Sequence, residues 1–179
     1  MSCGEITAAI ETVIINMYNI KRLFKHYLSQ LEIITAKIPA DIFAQSLTEG
    51  MFSLEMNAKI AANFVLRGYC PLLPTETVSF YQQDQKGKES VSKQITETLQ
   101  YLEDLPEVHE FDDSKLITDK AGFSDIALCQ SEYIHLYVFP NFLFHISMVY
   151  AIAKANGVEL SKSDFDGLHS YPSGFSFVK

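Results

Sequence analysis

Residues 140–157 read PNFLFHISMVYAIAKANG, and the fold is read outward from them. At about 100° per residue, His145 lies about 180° from Lys154, the nearest charged position, and Asn141 about 140°. Both polar side chains therefore face inward beside Val138, Met148 and Ile152. Gly157 fits a left-handed helix stop, so the spacing predicts a helix from about Ser131 to Gly157. Pro140 lacks the N–H that would bond the Leu136 carbonyl, which predicts a kink and one free acceptor there. From Tyr133 to Ala153 no Asp, Glu, Lys or Arg occurs, a length that suffices to span a bilayer. Yet His135, Asn141, His145 and Ser147 would lack partners in a lone span. The bland reading is a helix buried on nearly all sides, in a bundle core or at a subunit interface.

Three further helices precede it. Ile20, Phe24, Tyr27 and Leu31 share one face of a segment running from about Ile6 to Lys37, which Pro39 ends. A second segment, Ala40 to Gly68, carries the apolar stripe Leu54, Ala58, Ala61 and Val65, with an interruption at Gly50 left open. Its Glu55–Lys59 pair and the neighbouring Asn63 and Arg67 form a charged outer side. Asn57 lies about 200° from Glu55 and so points inward. PLLPTETVSFYQQDQKGK then reads as a loop. The third helix repeats Val91, Ile95, Leu99 and Leu102 and stops at Pro106. Short strands at Lys115–Thr118 and Phe123–Leu128 are predicted around an Asp119–Gly122 turn. After the last helix, Ser161-x-x-Asp164 resembles a cap, and Phe165, Phe175 and Phe177 are expected to pack across the helices.

The fold class predicted is all-α: one domain over residues 1–179, an up-down four-helix bundle with a loop or short β-hairpin before the last helix. The 179 residues are 47% hydrophobic and 20% charged, with a formal net charge of −8. So acidic a chain, without a basic cluster, is repelled by phosphate backbones and anionic lipid, which argues against nucleic-acid and membrane partners. Cys3, Cys70 and Cys129 are scattered, so neither a disulfide framework nor a thiolate zinc site is indicated. The first residues, MSCGEITAAIETV, carry no basic n-region, and a cytoplasmic location is expected. No P-loop, G-x-S-x-G, G-x-G-x-x-G or H-E-x-x-H occurs.

PNFLFHISMVYAIAKANGVELSKSDFDG (140–167), GMFSLEMN (50–57) and the SFYQQ loop resemble an uncharacterised domain-of-unknown-function branch of the DinB/YfiT-like superfamily. The resemblance covers about Met17 to Gly167. It implies a DinB-like helix bundle, often homodimeric. It also implies a zinc or nickel ion held by three histidines, one from the second helix and two from an H-x-x-x-H on the last. Some members are thiol S-transferases or related hydrolases. Here the matching positions are Asn57 (Leu54 in a slipped register), Asn141 and His145, so the pattern is Asn, Asn, His. Carboxamide oxygens are weak donors toward such metals. The expectation is a degenerate metal site, no cofactor, and a small-molecule-binding or interaction protein that forms a homodimer. Whether the chain is an enzyme stays open. The alternative is a zinc- or nickel-dependent transferase or hydrolase with His145 as a ligand, other donors coming from Tyr18, Glu49, Glu55 or His135. Asn57, Asn141, His145, His135 and Tyr18 are thus the pocket candidates, set against a plain core network of satisfied polar groups.

Overall fold

The computed structural model describes residues 19–172. Helix α1 spans Ile20–Lys37 and starts where the Asn19 side chain accepts the Arg22 N–H, 2.8 Å. Phe24, Leu28, Leu31 and Ile34 bury its inner face. The run from Ala40 does not continue as the expected single helix. A 3₁₀ turn covers Ala40–Ala44, Gly50 turns the chain at φ +80°, and α2, Leu54–Tyr69, begins only where Ser53 caps it. A glycine in the left-handed region and a capping serine three residues later reset the backbone, so no single helix spans them.

A long crossover, 70–87, leads to α3, Lys88–Asp104. Hydrogen bonds between helices give their directions. Lys21 Nζ donates to the Glu103 and Leu105 carbonyls at the end of α3, 2.8 and 2.6 Å, while Lys88 Nζ donates to the Ala36 and Ile38 carbonyls at the end of α1, 2.8 Å each. Helices α1 and α3 are therefore antiparallel, each terminus met by a lysine from the other's start. Glu55 near the start of α2 accepts the Gly87 N–H before α3, and Tyr69 at its end donates to Pro106 after α3. So α2 and α3 run the same way, and the up-down order expected from the sequence is corrected. The crossover returns the chain along the full length of α2 before α3 begins.

An antiparallel hairpin follows, β1 Leu116–Ala121 with β2 Ser124–Cys129, turning at Gly122 and Phe123. The turn lies later than expected, and Asp119 is a strand residue. Helix α4, Gln130–Ala155, runs antiparallel to α2 and packs along it, with Val138 against Gly68 and Tyr137 against Phe64. Residues Tyr133–Val138 form wide turns in which the Phe139 N–H reaches the Ile134 carbonyl. By length and composition α4 is apolar enough to cross a membrane, and 44% of its apolar window is buried inside the protein. The chain ends its described part in α5, Lys162–Asp166, closed by a Ser161–Asp164 capping box. Phe165 packs between the rings of Tyr27 and Tyr150, and His26 donates from Nε2 to the Asp166 carbonyl, 2.7 Å. Phe175 and Phe177 lie outside the described residues. The fold is thus mostly helical with one small sheet, its four long helices sharing one core.

Candidate functional site

Asn57 and His145, 88 residues apart, meet in the seam between α2 and α4. The His145 Nδ1 lies 2.9 Å from Asn57 Oδ1, and both residues are buried, at 8% and 2% exposure. Asn57 Nδ2 donates to the Phe52 and Ser53 carbonyls, 3.1 and 2.9 Å, which fixes the amide's orientation. Its Oδ1 is then an acceptor, so the His145 Nδ1 carries the proton and Nε2 the lone pair. Burial pushes the imidazole down to about 4, so it is neutral at pH 7. The ring stacks on Phe64 at 6.0 Å and meets Phe144 edge-on at 5.2 Å.

The other candidates do not join this pair. Asn141 is half-buried and donates to its own Tyr137 carbonyl, 2.6 Å, one residue beyond the Leu136 acceptor expected. His135 is exposed against the Phe111 ring. Tyr18 lies outside the described residues. Glu49 is exposed, and Glu55 is committed to Lys59. Among the described residues no three His, Cys, Asp or Glu side chains cluster. The residues at the three ligand positions do not fit a zinc or nickel set. One carboxamide oxygen is spent on the imidazole, the other carboxamide is tied to its own helix, and a single histidine remains.

A polar constellation that the sequence did not disclose stands further along the same seam. Arg67 donates to Asp119 from Nε and Nη2, 2.7 and 2.9 Å, and to the Lys120 carbonyl. The Tyr133 hydroxyl donates to Asp119, 2.7 Å. Arg67 also lies over the rings of Phe64 and Tyr137, 5.2 and 5.4 Å from their centroids. The bond to Asp119 raises the Arg67 guanidinium still further. Burial alone would lift the Asp119 carboxyl, but the Arg67 and Tyr133 bonds outweigh it and hold it low. Burial and the Asp119 bond raise the Tyr133 phenol, which stays protonated.

These side chains form one wall of a cleft of about 350 Å³ between α2, the crossover and β1. Asn63, Thr77, Val78 and Thr118 also line it. Sequence reading placed Arg67 and Lys59 on an outer charged face. Instead the crossover covers Lys59, 3% exposed, and the hairpin covers Arg67. The only signal in the sequence was an i,i+4 row, Glu55–Lys59–Asn63–Arg67, facing a loop rich in hydroxyls.

The chain matches the family described as Domain of unknown function (DUF1993) over residues 7–166. It belongs to that family. The fold of this DUF1993 chain is similar to the crystal structure of a DinB family member protein from Shewanella denitrificans. The TM-score is 0.72 at 23% identity, over 92% of this chain and 98% of that one. The DinB-like resemblance read from residues 140–167 and 50–57 thus holds for the fold of the DUF1993 chain. No curated protein matches.

Proposed function

We propose that this DUF1993 protein binds a small molecule in the cleft between α2, the crossover and the hairpin, and that the three-histidine metal chemistry of DinB-like proteins is not its function. The observation that carries the reading is the cleft itself, about 350 Å³ with a rigid Arg67–Asp119–Tyr133 wall. The Asn57–His145 pair supports it by contrast, because Asn57 spends its side chain on His145 and on the Phe52 and Ser53 carbonyls. Elemental analysis of tag-free protein beside His145→Ala tests the second half. Zinc and nickel at background in both is the expected result. One metal per chain, lost in the variant, would restore the metal-dependent transferase or hydrolase reading, in which activity disappears with chelator. Cys70 and Cys129 are free thiols, in keeping with a reducing cytoplasm.

A homodimer formed through α4 is the second reading, favoured by one observation. The outer face of α4 leaves Leu136 68% and Phe144 54% exposed beside Pro140 and Ser147. Sedimentation at micromolar concentration tests it: a dimer is expected, weakened by Phe144→Glu. A monomer under the same conditions would remove the reading.

A further inference from the structure

We propose that the ligand of this cleft is an uncharged small molecule bearing two carbonyl-type acceptors, of the amide, imide or ureide class; the proposal rests on the cleft being the binding site. A count of polar atoms carries it. Asp119 accepts four hydrogen bonds: Oδ1 from Arg67 Nη2 and the Lys120 N–H, Oδ2 from Arg67 Nε and the Tyr133 hydroxyl. A carboxylate offers about four acceptor sites, so this one is full. Asn63 Oδ1 accepts from Ser79 Oγ and Gln94 Nε2, 2.9 and 3.2 Å, and is full as well.

The donors are in the opposite condition. Asn63 Nδ2, Arg67 Nη1 and the Thr77 hydroxyl have no hydrogen-bond partner among the described residues. The cleft therefore offers donors and has spent its side-chain carboxylate and carboxamide acceptors. Asn63 and Arg67 stand one helical turn apart, so their donors address two acceptors about 6 Å apart or converge on a closer pair. Charge narrows the class further. Asp119 already neutralises Arg67, so a second carboxylate would share that cation with a like charge at close range. A cationic ligand would find no carboxylate with a free lone pair. Val78, Pro71 and Ile117 supply apolar contact for the body of the ligand.

The test is a ¹H–¹⁵N NMR titration of the full chain at pH 6.5 with three probes of matched bulk: 5-benzylhydantoin, phenylacetate and benzylamine. Saturable shifts of the Asn63 side-chain amide and the Thr77 and Thr118 backbone amides are expected with the hydantoin alone. Thr77→Val removes one donor from an exposed hydroxyl that makes no other hydrogen bond, and hydantoin affinity should fall about three- to tenfold. Asn63→Asp keeps the acceptor for Ser79 and Gln94 but replaces the free donor with a carboxylate oxygen. It should lose the hydantoin and gain benzylamine. Tighter binding of phenylacetate or benzylamine at the same resonances in the unaltered protein would overturn the ligand class and leave the cleft as the site. Shifts outside the cleft only, or none with any probe, would overturn both.

Discussion

Asn57 spends every polar atom of its side chain inside the protein, two donors on the turn that begins α2 and one acceptor on His145. Replacing it with leucine strands the buried His145 Nδ1–H and removes the donor to the Phe52 carbonyl, while Ser53 keeps the backbone N–H of residue 57; an unsatisfied buried group costs about 1–3 kcal/mol. We expect Asn57→Leu to lower the urea midpoint by an amount equivalent to at least about 2 kcal/mol at unchanged slope. His145 gives a pH signature whose sign follows from its burial. The unfolded imidazole takes a proton near its ordinary value of about 6.5 and the folded one only near about 4. Stability is therefore full above about pH 6.5 and lost as pH falls toward 4, by about 3 kcal/mol from this residue. His145→Gln should flatten that part of the stability profile, and an equal slope in both proteins would refute the assignment. The inward direction of both residues was legible from helical phase against Glu55 and Lys154. Their mutual bond was not, because phase gives direction within one helix and says nothing of the depth at which two helices meet.

The helices approach closely at Gly68. A Cβ built there would come within 2.4 Å of Val138 Cγ1. Glycine ordinarily weakens a helix interior, so Gly68→Ala would gain up to about 1 kcal/mol if space allowed. Here we expect it to lose about 1–3 kcal/mol by overpacking, and Val138→Ala in the same chain to restore most of that. Calorimetry on the four proteins of the cycle decides it. The hairpin depends on its strut in the same local way. Asp119→Ala removes the bidentate partner of Arg67 and the acceptor for Tyr133, and hydrogen exchange at hairpin amides should accelerate at least about tenfold. Exchange in α1 and α3 should stay unchanged. The strands themselves were legible within a few residues from their alternation. Asp119 was misread as a turn residue because composition favours aspartate in turns, whereas the structure uses it as a tether.

At the scale of the whole molecule, the mostly helical class and the hairpin before the last long helix could be read, and the directions of the helices could not. A loop of 70–87 is long enough either to join neighbours or to run the length of α2, and the Asn63, Lys59 and Glu55 contacts choose the second. That choice is also what builds the cleft, since it lays the crossover beside α2 opposite the hairpin. Charge at this scale follows the sequence directly: with −8 overall, the protein should elute from heparin at low salt and from an anion exchanger only at high salt. The wide turns at Tyr133–Val138 carry one residue more than a regular helix would use over the same rise. Deleting the exposed Leu136 would restore regular turns and leave Tyr133 facing Asp119, because the wide turns already absorb the extra residue. The core residues after Pro140 would keep their places on α2. In genetic terms, the wide turns hold one spare codon, and its loss is a deletion that the docked hairpin should survive.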